Sequence, residues 1–260
     1  MSADFVGTGK PLTRAAFDNA VQRIGGDAAA LWSLITVETR GFGFLPDKRP
    51  KILFERHIFH GRTNGRFDLS NPDISSSHPG GYSNESGEYD RLARAMALDH
   101  DAALESASWG LGQVMGFNAK GLRYLGAQGM VTTFLNGEDE QLEASVRFIE
   151  TNPALATAVK SRTWKTVAFF YNGSGYAENQ YDTKLESNYG KYSAGTQPDL
   201  ALRTAQARLL YLGIDPKGVD GVTGNGTAGA LRRFQTASSL PQNGQLDAQT
   251  AAALEAALPF

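Results

Sequence analysis

The chain has 260 residues, 41% of them hydrophobic and 20% charged, with no cysteine and a formal net charge of -2. That length holds one large or two modest domains, each able to bury a core, and two is the better expectation. The small net charge offers no footprint for nucleic acid, and the lack of cysteine excludes disulfides, thiolate metal sites and thiol nucleophiles while leaving the redox compartment open.

The first residues lack a basic start followed by an apolar run, and no stretch approaches the roughly 18 continuous apolar residues of a membrane span. The expectation is a protein made in the cytosol without its own export signal and without stable membrane insertion. Thr13 and the run after it predict a capped helix over 13–24, closed by Gly25 and Gly26. Asp27 caps a second helix, in which Ala28, Leu31, Trp32, Leu34, Ile35 and Val37 recur at helical spacing. Glu38 stands in its last turn, before Gly41 and Gly43 end it. A half-sheltered carboxyl there has its pKa raised by desolvation, which is how a glutamic acid stays protonated near neutral pH and serves as a general acid. The ordinary alternative is a solvated glutamate at a helix end.

After a Gly- and Pro-rich loop over 41–50, residues 51–54 read as a short apolar strand, followed directly by Glu55, Arg56, His57 and His60. Residues 61–90 are dense in Gly, Ser, Asn, Asp and Pro and predict a long surface excursion with little regular structure, functional or mobile. One amphipathic helix is expected over 88–104, with Tyr89, Leu92, Ala95, Met96 and Leu104 inward. Residues 106–118 have the composition of a tight turn leading into a short helix. Helical patterns continue over 121–125, 130–135, 139–150, 154–160 and 164–171, the last ending at Asn172 and Gly173. Linker composition at 193–199 divides residues 1–192 from 200–260, where helices are expected over 202–212, 228–237 and 250–258. The predicted fold class is mainly α: a helical first domain with a small β region near 51–54, then a three-helix domain.

Three separated pieces now read together. Thr36-Val37-Glu38-Thr39-Arg40-Gly41, Ser108-Trp109-Gly110-Leu111-Gly112-Gln113 and Phe170-Tyr171-Asn172-Gly173 resemble, in type and order, the catalytic-glutamate, Ser-Gly-Gln and Tyr-Asn motifs of the lysozyme-like superfamily, notably goose-type lysozymes and lytic transglycosylases. With the run over 49–59, they are similar more closely to the N-acetylmuramidase domain of modular phage endolysins, over about residues 10–190. Independently, Gln206, Gly213, Asp220-Gly221, Thr227, Phe234-Gln235, Leu240, Gly244, Asp247 and Thr250 resemble the peptidoglycan-binding domain of type 1, a three-helix module.

The resemblance implies a muramidase that cuts between N-acetylmuramic acid and N-acetylglucosamine and lyses a bacterial host. The alternatives are a lytic transglycosylase that closes a 1,6-anhydro ring, or a non-catalytic wall-binding or virion protein. Bacterial peptidoglycan is the implied partner and a monomer is expected, with no nucleic-acid partner, no cofactor and no metal. Holin-type permeabilisation would carry it from the host cytoplasm to the wall. Glu38 is the implied proton donor. For the second group Glu55 is preferred, with Asp47 next, each equally able to be structural: Glu55 by pairing with Arg56 or Arg40, Asp47 by capping a turn. A positioned water alone is the third possibility. Ser108 and Gln113 would hydrogen-bond Glu38 or the N-acetyl groups, and Tyr171 and Asn172 would line the floor where a sugar ring stacks. His57 and His60 lack the companion ligands of a metal site and read as structural.

Overall fold

Why the chain folds around the segment that carries Glu38 is visible in a computed structural model, which describes residues 5–84 and 86–260. Residues 1–4, where the segment read for an export signal begins, and residue 85, within the expected excursion, lie outside the described residues. Helix α1 (Arg14–Ile24) starts on Thr13, whose side chain accepts from the Ala16 N–H, and ends on Gly25 in the left-handed region. Helix α2 (Ala28–Thr39) is capped by Asp27 and buries every residue from Ala29 to Ile35. A helix apolar on all sides belongs in the middle of a domain. Around it pack α1, Leu111, and residues of four later helices: α7 (Glu138–Glu150), α8 (Pro153–Ser161), α9 (Trp164–Asn172) and α10 (Tyr181–Ala194). Helix α10 lies along α2, joined by the Thr36 and Tyr192 hydroxyls at 2.9 Å.

The second core is built on a small antiparallel sheet of order β1-β2-β3. Strand β1 (Ile52–Phe54) pairs Ile52 with Trp109 and Phe54 with Ala107 of β2 (Ala107–Trp109), and Trp109 of β2 pairs with Val114 of β3 (Val114–Met115). The expected turn-to-helix over 106–118 is therefore a hairpin. Its Gly110 takes φ 67°, and a 3-10 turn of 116–118 follows. Glycines that suggested the start of a helix serve the reversal between two short strands, and pairing with β1 supplies what local propensity does not.

Helix α3 (Arg56–Thr63) begins the region read as an excursion, after which residues 64–84 run without strand or long helix. The single helix expected over 88–104 is two, α4 (Gly87–Leu98) and α5 (His100–Glu105). Asp99 breaks them, leaving helical geometry to accept the Ala102 N–H at 3.1 Å as an N-cap. Residues 121–125 form turns, and α6 (Ala127–Phe134) follows. Helix α10 runs through Ala194, so the first two residues of the expected linker are helical.

The last three helices are α11 (Leu200–Tyr211), α12 (Asn225–Ala237) and α13 (Ala248–Ala257), closed on Leu209, Leu231, Phe234 and Leu254. Two buried glutamines perform the same task in succession. Gln206 Oε1 accepts from the Gly221 N–H while its amide donates to Thr227 Oγ1, and Gln235 Oε1 accepts from the Gly244 N–H while its amide donates to Thr250 Oγ1. Gly221 and Gly244 take φ 73° and 70°, so each loop needs the conformational freedom of glycine. A further apolar cluster joins Phe42 and Phe44 of the first part to Ala207 and Val219 of the second, with Tyr211 and Phe260 packed against it.

Candidate active site

The acid-bearing end of α2 is held from several directions. Its C-cap is Arg40, in the left-handed region at φ 56°. Thr39 Oγ1 donates to the Leu111 carbonyl at 3.2 Å, and Lys51 Nζ donates to the Thr39 carbonyl at 3.2 Å. Glu38 itself is half-buried, over a narrow crevice lined by Leu34, Ile35, Leu111, Val146, Ile149 and Tyr171. Apolar walls cannot solvate a carboxylate. Desolvation is the dominant effect and pushes the Glu38 carboxyl from its ordinary value of 4.5 up to about 8, against the hydrogen bond from Asn172, which favours the charged form. Glu38 is therefore a protonated carboxylic acid at neutral pH.

Tyr171 and Asn172, the last residues of α9, both stand at Glu38. Burial and the nearby Glu38 carboxyl hold the Tyr171 phenol well above its ordinary range, so it is a neutral hydroxyl. Tyr171 packs edge-on against Phe148, ring centroids 5.3 Å apart, which fixes it as a wall of the crevice. Asn172 Oδ1 is buried without a protein partner. A buried acceptor left open beside a carboxyl that holds a proton is a site feature to be accounted for.

Glu55 sits at the end of β1 as the N-cap residue of α3, its side chain 16% exposed. The Tyr82 hydroxyl lies 3.0 Å from Glu55 Oε2 and 3.2 Å from Oε1, and His57 Nδ1 lies 3.1 Å from Oε2 without hydrogen-bond alignment. Burial raises the Glu55 pKa; His57, Tyr82 and Arg91 pull it down and Glu88 adds to the rise. Neither arginine considered from the sequence is its partner. Arg56 donates instead to the carbonyls of His78 at 2.9 Å and Pro79 at 3.0 Å, which ties down the loop that delivers Tyr82. Under Glu55 lies a buried pair: Arg91 Nη1 donates to Glu88 Oε2 at 2.8 Å, and Glu88 accepts the Phe54 N–H at 2.9 Å. His60 Nδ1 meets Asp68 at 2.7 Å, and no group of three or more His, Asp or Glu suited to a metal occurs among the described residues.

Tyr181, at the start of α10, relates the two carboxyls. Its phenol is pushed up to about 12, first by burial and then by the charges of Glu38 and of Glu55. Tyr181 is thus a hydroxyl that senses the charge of both acids. Sequence reading did not single out Tyr181 or Tyr82, because each lies in a polar stretch whose fold against the cleft no local pattern announces.

The other candidates are placed differently. Asp47 is bound to Arg49, Nε to Oδ2 at 2.7 Å and the Arg49 N–H to Oδ1 at 3.1 Å, in a turn at the surface, and it is not among the groups that act on Glu38. Ser108 and Gln113 meet each other, Ser108 Oγ donating to Gln113 Oε1 at 2.8 Å, while the Gln113 amide donates to the Gly110 carbonyl at 2.9 Å. Both bonds brace the hairpin turn beside the crevice, and neither reaches Glu38.

Comparisons with known proteins identify the family. Residues 27–193 match the family model N-acetylmuramidase and residues 199–254 match a putative peptidoglycan binding domain. The chain belongs to the N-acetylmuramidase family and is a glycoside hydrolase directed at peptidoglycan. Among solved structures it is similar to the Burkholderia AP3 phage endolysin, at 41% sequence identity over 71% of this chain and 72% of that one, with a TM-score of 0.65. Among curated proteins no match was found. No helix of the described residues is long and apolar enough to cross a membrane.

Proposed function

We propose that this protein is a phage endolysin that lyses its host by hydrolysing the bond between N-acetylmuramic acid and N-acetylglucosamine, with Glu38 as the general acid. The observation that carries the reading is one carboxyl on an apolar crevice, protonated up to about pH 8, with Tyr171 and Asn172 fixed beside it. Such an acid gives its proton to the leaving glycosidic oxygen as the bond to the sugar lengthens. The Asn172 amide N–H donates to Glu38, which leaves Oδ1 as an open acceptor for an N–H of the substrate.

Glu55 faces the charge that develops on the sugar. Burial raises the Glu55 pKa, while its helix-end position, the Arg91 guanidinium and the Tyr82 hydroxyl favour the carboxylate, and Tyr82 orients it. That carboxylate either activates a water or stabilises the oxocarbenium-like centre. Asp47, spent on Arg49, is a turn residue. Residues 1–192 make up the catalytic part and residues 200–260 the part that holds the wall, joined through 193–199. The protein acts as a monomer and reaches the wall through a membrane opened by another protein.

Mass spectrometry of digested sacculi tests the chemistry. The expected fragments have gained one water and end in reducing N-acetylmuramic acid. Anhydro ends would make the enzyme a transglycosylase, and reducing N-acetylglucosamine ends would place the cut at the other bond.

A further inference from the structure

We propose that Arg203, on the first helix of the C-terminal domain, is a positioning residue for catalysis: through the Gly41 carbonyl it clamps the loop that leaves Glu38, so the wall-binding part also shapes the active site. The proposal rests on the reading of Glu38 as the acid.

Arg203 has no exposed surface, nor has its partner Glu138 on α7. Its Nε and Nη2 both donate to the Gly41 carbonyl, at 2.7 and 2.5 Å, while Nη1 and Nη2 donate to Glu138 Oε2 and Oε1 at 2.5 and 2.6 Å. Glu138 in turn accepts the Gly43 N–H at 2.7 Å and the Leu12 N–H at 2.8 Å. The guanidinium lies over the Phe42 ring at 5.3 Å. One arginine thus grips residue 41 directly and residue 43 through a carboxylate, and both lie within five residues of Glu38. Only a planar fork makes these bonds together, so lysine is not equivalent.

The grip passes on to the crevice. Gly43 is packed so closely that an added Cβ would stand 2.7 Å from the Leu111 nitrogen, and Gln141 Oε1 holds that same N–H at 2.8 Å. Leu111 and Gly112 line the crevice under Glu38. On the outer side Gly41, at φ 97°, is pressed against residues 219–220 of the C-terminal domain, where a Cβ would meet the Asp220 Cα at 3.0 Å. A passive tether between two modules needs no desolvated ion pair aimed at a backbone carbonyl. Burying both charges is costly unless they are well bonded, and neither side chain leaves a buried polar atom without a partner.

The test uses the full chain. Arg203→Lys keeps the charge and loses the fork. Amide hydrogen exchange of the segment 41–43 reads the clamp without reference to catalysis, and about ten-fold faster exchange is expected. On sacculi, kcat should fall about ten-fold with KM and sacculus binding near wild type, because the acid is displaced while wall contacts persist. Water entering the loosened crevice should move the alkaline limb of the pH profile down by about half a unit or more. A folded Arg203→Lys protein with unchanged exchange, kcat and pH limb overturns the proposal. If that variant does not fold, Arg203→Met combined with Glu138→Leu removes both charges and the Gly41 bonds together, and wild-type kcat there overturns it as well. Glu38→Gln, measured in parallel, separates the two readings: activity retained in Glu38→Gln removes the acid, whereas the exchange result judges the clamp by itself.

Discussion

Replacing Glu38 by Gln should make the protein more stable at alkaline pH while destroying its activity. The native carboxyl holds its proton up to about pH 8 against 4.5 in the unfolded chain, because its apolar walls disfavour the charge. Between those values the folded state binds more protons than the unfolded one, so stability falls as pH rises through the window and is fully present only below it. At about 1.36 kcal/mol per unit the shift corresponds to a ceiling of about 5 kcal/mol. The half-buried side chain is partly open to the cleft, which screens the charge and reduces the expected loss to about 2–3 kcal/mol. Gln keeps the shape and does not titrate. Urea unfolding of wild type and Glu38→Gln at pH 4 should then give nearly equal free energies, and at pH 9 the variant should be the more stable by about 2–3 kcal/mol. Other titrating groups cancel in the difference. Equal stability at both pH values would refute the desolvation argument, because a carboxyl that ionises freely in the native state loses nothing on charging.

The remaining predictions concern the same space. Asn172→Leu removes the hydrogen bond that favours the charged form of Glu38, so the alkaline limb of kcat should move upward, opposite in sign to the shift expected for Arg203→Lys; pH-rate profiles on sacculi check this. Glu55→Gln should lower kcat by about 100-fold, whereas Asp47→Asn should leave kcat within about two-fold and cost at most about 1 kcal/mol, the worth of an exposed ion pair to Arg49. Paired rate and melting measurements on the two variants distinguish the roles. Tyr82→Phe deletes the hydroxyl that favours the Glu55 carboxylate, and the acidic limb of the profile should move to higher pH.

How far the sequence went depended on the range of the interactions involved. Thr13, Gly25 and Asp27 are local signals, and the structure uses them as caps where expected. Glu38 was legible because an apolar helix announces its own burial, and burial sets its acidity. The hairpin at 107–115 was not, since strands of two and three residues carry almost no periodicity and exist because β1 is there to pair with them. Tyr181 and Tyr82 were missed for a similar reason: each reaches the cleft through a loop or helix start whose path is set by remote packing. Ser108 and Gln113 stood out as sequence features, but in the fold they are bonded to each other and to the hairpin backbone. Nothing in the pattern of Arg203 distinguishes it from a surface arginine of α11, since its burial is created by Glu138, 65 residues away.

The most direct test of the central claim is the initial rate at which Glu38→Gln digests purified sacculi, with folding and sacculus binding verified on the same sample. If Glu38 donates the proton to the glycosidic oxygen, the rate falls by at least about 100-fold while binding is unchanged. A folded, wall-bound variant that cuts at close to the wild-type rate would show that another group is the acid.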